Sequence, residues 1–142
     1  SASLVGSEMC IRDRIMRMQK TFRDIVKKDG TFIAPDDFSE VIDNGKAFID
    51  PGVKMGEGWL LTGEVVSLIK SGVTNVISAQ PFGCLPNHIV AKGMVRKIKD
   101  EYPKANIVAI DYDPSASKVN QENRIRLMLA NAKLSEEMKA SI

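Results

Sequence analysis

Val73-Thr74-Asn75-Val76-Ile77-Ser78-Ala79 and, further along, Asn106-Ile107-Val108-Ala109-Ile110 are the two stretches that decide the fold. The first carries Val73, Val76, Ile77 and Ala79 without a charge and reads as a buried strand. The second is short and almost wholly apolar, which suits a parallel strand covered on both faces. Between them, Gln80 to Leu85 reads as a turn, and Pro86 opens a helix that runs to about Tyr102. Its inner face holds Val90, Met94 and Ile98, with Lys92, Arg96, Lys97 and Lys99 largely outside, and Pro103 stops it. A helix from about Glu57 to Ser71 precedes the first strand, with Leu61, Val65, Leu68 and Ile69 on one face and Gly72 at its close. A last helix, from about Ser115 to Ala132, carries Val119, Ile125, Met128 and Leu129.

Helix, strand, helix, strand, helix is the order of an α/β fold: a partial parallel sheet with helical crossovers, similar to half of a Rossmann or flavodoxin sheet. Two strands fall below the usual four to six. The chain is therefore expected to be a piece of a larger protein, with residues 51–142 as the carboxyl-terminal α/β portion of a domain. Residues 15–50 are expected as extra, peripheral helices. One spans residues 15–28, with apolar positions 15, 18, 22, 25 and 26, and ends at Asp29-Gly30. A shorter one begins at about Pro35, with Phe38, Val41 and Ile42. The glycine- and proline-bearing residues 50–58 read as a loop. Residues 4–14, Leu-Val-Gly-Ser-Glu-Met-Cys-Ile-Arg-Asp-Arg, resemble a translated sequencing adapter, so residues 1–14 are expected to be a non-native tail.

Net charge is +2, with 44% apolar and 27% charged residues. The basic residues form no single run, so no nucleic-acid or membrane-surface partner is expected. No stretch has the length and apolarity of a spanning helix. Two cysteines make no disulfide scaffold, and the expected location is a reducing cytoplasm.

Ligands of open α/β sheets bind outside the carboxyl ends of the strands. Two loops leave such ends here, residues 80–88 and 111–115. In the first, Gly83 permits close backbone approach. Cys84 lies just before the helix opened by Pro86, where free N–H groups and the helix dipole favour negative charge. Cys84 is thus either a metal-ligating thiolate or a small buried hydrophobe. His88, four residues on, is either a base for a Cys84 nucleophile or a side chain hydrogen-bonded to backbone. Asp111 and Asp113 could hold a metal or a ribose hydroxyl, whereas Asp113 or Ser115 could simply cap the last helix. Gly56, Gly58 and Gly63 lack the preceding strand of a phosphate-binding fingerprint. Trp59 reads as a core anchor.

Three segments carry a resemblance: residues 56–64 (Gly-Glu-Gly-Trp-Leu-Leu-Thr-Gly-Glu), residues 80–88 (Gln-Pro-Phe-Gly-Cys-Leu-Pro-Asn-His) and residues 110–114 (Ile-Asp-Tyr-Asp-Pro). Across roughly residues 38–130 the chain resembles the carboxyl-terminal region of acyl-CoA dehydratase activase-related proteins, of the 2-hydroxyglutaryl-CoA dehydratase and activase family. The resemblance implies an oxygen-sensitive iron–sulfur protein of anaerobic metabolism. It would act as a lyase-type dehydratase or activase-coupled reductase component that passes low-potential electrons to an acyl-CoA-type substrate. It also implies a [4Fe–4S] cluster with Cys84 as one ligand and further ligands outside this chain, ATP bound only in an activase part not present here, and an activase domain or subunit as partner. On this reading the present chain alone is inactive. The alternative is a non-catalytic α/β docking module for an activase partner, with Cys84 used only for packing. A weaker third reading is a thiol enzyme using Cys84 and His88.

Overall fold

The computed structural model describes residues 2–53, 55–113 and 117–140. The chain divides into two compact units, residues 1–37 and 38–142. The first holds one long helix, α1 (Ala2–Asp29). It ends where Gly30, at φ 74°, donates its N–H to the Val26 carbonyl, with Lys27 and Lys28 placed favourably against the negative end of the helix. Its periodic apolar residues Ile15, Phe22 and Ile25 are all exposed. Arg23 pairs with Asp37 at 3.0 Å within this unit.

The second unit is a small α/β domain. Its order is α2 (Phe38–Lys46), α3 (Gly58–Lys70), β1 (Asn75–Pro81), a π-helical segment (Pro86–Ala91) that runs directly into α4 (Lys92–Glu101), β2 (Asn106–Tyr112) and α5 (Lys118–Ala140). The strands pair in parallel, Asn75 opposite Asn106 through Pro81 opposite Tyr112. This is a two-stranded parallel sheet flanked by helices. The expected Pro114 and Ser115 loop lies outside the described residues.

The first strand begins two residues later than the apolar run suggests, and the reason is local. Gly72, at φ 98°, ends α3; its N–H bonds to the Ile69 carbonyl and that of Val73 to the Leu68 carbonyl. This paired bonding terminates a helix, so Val73 belongs to the cap and not to the strand. At the other end β1 reaches Pro81. The nitrogen of Pro81 faces away from β2, so the missing donor costs no ladder bond. Because β1 runs on, the Phe82 N–H can bond the Tyr112 carbonyl at 3.2 Å, and β2 extends past Ile110 to Tyr112.

One face of the sheet rests on the core, made by Phe48, Val66, Val76, Ile98, Ala105 and Ile107, with Val65, Ile69, Met94 and Tyr102 packed against it. Val90, Met94 and Ile98 face inward as expected. In α3 the buried face is turned from the expected one: Thr62, Gly63, Val66 and Ser67 are buried, while Leu68 is exposed. Small residues explain the turn. A methyl group on Gly63 would collide with the Val41 carbonyl oxygen, and one on Gly45 would sit 3.3 Å from the Cα of Gly63. The α2 and α3 backbones therefore meet through two glycines, and the residues beside Gly63 are carried inward with it. Trp59 is only half-buried and meets Phe38 edge to face, ring centres 6.4 Å apart. On α5, Met128 is buried, but Val119 and Leu129 are exposed.

Candidate functional site

The two loops expected to lie side by side do so at the carboxyl ends of β1 and β2. Gly83, at φ 70°, makes the turn after β1, and the Cys84 N–H closes it on the Pro81 carbonyl at 3.2 Å. The N–H of His88 then bonds the Cys84 carbonyl at 2.9 Å, so the chain winds into the π-helical segment. The cleft between these loops and α5 has a volume of about 820 Å³. Phe82, Leu85, His88, Asp111, Asn120 and Arg124 line it.

Polar groups fix this end of the sheet from within. Gln80 is wholly buried, and its Nε2 donates to the Asn87 carbonyl at 3.1 Å. Asn87 is buried too, and its Nδ2 donates to the Cys84 Sγ at 3.0 Å. The thiol is thus half-buried and held as an acceptor. His88 Nε2 lies 3.2 Å from the Pro81 carbonyl oxygen. A carbonyl only accepts, so this contact is a hydrogen bond with the proton on Nε2. His88 Nδ1 lies 3.5 Å from Asp111 Oδ1, an ion pair only when the imidazole is protonated. That carboxylate oxygen is buried and has no hydrogen-bond partner among the described residues.

His88 therefore engages Pro81 and Asp111. Among the described residues its ring makes no bond to Cys84 Sγ, whose partner is Asn87. A nucleophile–base pair needs that direct contact, so the thiol-enzyme arrangement is not assembled. Asp111 lies in β2 itself, and Asp113 follows the strand.

The expected iron–sulfur protein is corrected here. A [4Fe–4S] cluster takes four thiolates. The chain has two cysteines, Cys10 on α1 and Cys84 after β1, in different compact units. Among the described residues no group of three or more His, Cys, Asp or Glu side chains could hold a metal ion. The [4Fe–4S] cofactor, and with it the metal-binding, electron-transferring dehydratase reading, is overturned on this ground.

Sequence reasoning missed four polar residues that organise this end of the domain. Gln80 and Asn87 looked like turn residues but are buried braces. Arg124 and Gln121 of α5 donate to the β2 carbonyls of Ala109 (3.0 Å) and Asp111 (3.4 Å). Their spacing of three residues on one helix face was the available signal.

No family model, no curated protein and no solved structure matches this chain. The likeness to activase-related proteins rests on the quoted residues alone.

Proposed function

We propose that this chain is a non-catalytic α/β docking module whose partner is an ATP-hydrolysing activase subunit. One observation carries the reading. At the carboxyl end of β1 the usual distribution is inverted: Gln80 and Asn87 are buried, whereas Phe82, Leu85 and Ile89 are 71%, 56% and 55% exposed. An exposed large apolar patch, unlike a single exposed leucine, marks a contact surface. Leu85 and Ile89 are four residues apart on a helical path, and Phe82 and Leu85 border the same cleft. The buried polar braces hold that patch rigid, so a partner would not have to order it on binding.

The activase as occupant comes from the likeness of residues 56–64, 80–88 and 110–114 to the activase-related family. We further read the parallel pairing and the helical crossover between β1 and β2 as a Rossmann- or flavodoxin-like unit. A calorimetric titration of a purified family activase into this chain tests the docking reading. Saturable binding with a negative heat-capacity change, the mark of apolar burial, is expected. Heat no greater than dilution at every temperature overturns it.

A further inference from the structure

The two edges of the sheet are treated differently. The Asn106 N–H bonds the Thr74 carbonyl at 2.7 Å and the Phe82 N–H bonds the Tyr112 carbonyl. Even-numbered residues of each strand thus face the other strand, and odd-numbered residues face outward. On β2 the outward carbonyls of Ala109 and Asp111 are taken by Arg124 and Gln121. That edge is closed by α5. On β1 the outward groups belong to Asn75, Ile77 and Ala79, and they make no backbone hydrogen bond among the described residues. The side chains of these three residues are exposed as well, Ile77 at 49%.

An unpaired strand edge is a template for another strand, and natural proteins usually guard it with charge. Here no charged residue occurs anywhere from Ser71 to Asn87. We propose that the outer edge of β1 pairs with the same edge of a second copy of this chain, antiparallel, about a two-fold axis through Ile77. The edge is its own complement. The axis sets Ile77 against Ile77 and Asn75 against Ala79 of the other copy, and the odd-numbered residues exchange about six N–H···O=C bonds. No like charges are brought together. The pairing ends itself at Pro81, which has no N–H and whose carbonyl is already used by the Cys84 N–H. A two-fold axis perpendicular to the sheet also keeps Ile77 and its mate on one face, where each covers the other. Joining like edges closes the assembly at two copies, as an isologous two-fold contact does. The result is a four-stranded sheet, β2-β1-β1-β2, of usual width. This assignment stands apart from the docking reading, which concerns Phe82 and Leu85.

Sedimentation velocity of the whole chain over a rising concentration series tests it. The mass is expected to climb from 15.6 kDa toward twice that value, and Ile77→Lys is expected to remain monomeric. Because a lysine there could act through misfolding, a second variant reads geometry directly. Residues facing each other in a hydrogen-bonded antiparallel pair have Cα atoms about 5.5 Å apart, within disulfide reach. In a Cys10→Ser, Cys84→Ser background, Ile77→Cys is expected to give a disulfide-linked dimer under mild oxidation, and Lys118→Cys is not. A chain that stays monomeric throughout, a dimer indifferent to Ile77→Lys, or equal cross-linking at both positions overturns the proposal. So does a chain that ignores its own copy and takes up only a different protein's strand.

Discussion

The two ends of β1 use opposite chemistry. Toward the amino ends of the strands, Val76 and Ile107 are buried against Ile98, Phe48 and Val66, the ordinary arrangement of a packed core. Toward the carboxyl end of β1, the buried side chains are Gln80 and Asn87, and the apolar ones, Phe82 and Leu85, stand in solvent. The first end explains why the domain folds. The second departs from what folding alone requires: burying Phe82 would stabilise by about 1.5–3 kcal/mol, and the domain leaves it out. On the docking reading, a surface that forgoes this and is held by buried hydrogen bonds is where the partner sits.

The largest expected effect lies at the first end. Ile98→Ala, at a fully buried position, should cost about 2–5 kcal/mol of unfolding free energy, read by urea denaturation. A loss under 1 kcal/mol would mean that this end is loosely packed. Next comes the helix contact. Gly63→Ala places a methyl group against the Val41 carbonyl and should cost about 1–3 kcal/mol or more. Gly93→Ala meets open space and, by helix propensity, should stabilise by about 1 kcal/mol or less. Equal effects at the two glycines would break the account of the α2–α3 crossing.

The smallest effect concerns Glu64 on α3. Its side chain is exposed at the residue level, yet partial burial of the carboxyl raises its pKa above the ordinary glutamate value of 4.5. The folded state then holds this proton more tightly than the unfolded state. Stability from this group is fully present near and below pH 4.5 and declines as pH rises through the raised folded value. Glu64→Gln should flatten that decline, seen as a smaller change in melting temperature across the window. A steeper decline in the variant would reverse the sign.

The order of elements was legible because apolar runs and helix stops are local signals: Pro86, Pro103 and the Val-Ile-rich 106–110 run needed no knowledge of neighbours. The start of β1 was not legible, because Val73 looks like strand by composition and is claimed by the α3 cap through a bond to Leu68. The buried face of α3 was hidden for a related reason. Periodicity weighs large apolar residues, while the contact that orients this helix is made by Gly45 and Gly63, which carry no hydrophobic signal. At the site, the meeting of the two loops followed from topology. The thiol's partner did not: spacing left His88 either a base for Cys84 or bonded to backbone, and its ring meets the Pro81 carbonyl and Asp111 while the thiol meets Asn87. The cluster expectation failed because a motif around one cysteine cannot report how many other ligands surround it in space.

The docking reading is tested most directly by measuring the affinity of a purified family activase for the wild-type chain and for the Phe82→Ser, Leu85→Ser double variant, with the unfolding free energy of both. Both side chains are more than half exposed, so each substitution should change stability by only about 0.5 kcal/mol or less. Affinity should fall by about 30-fold or more, the loss of roughly 2 kcal/mol at a contact anchor. Unchanged affinity in a variant that folds as well as wild type would contradict the claim that this exposed apolar end is the docking surface.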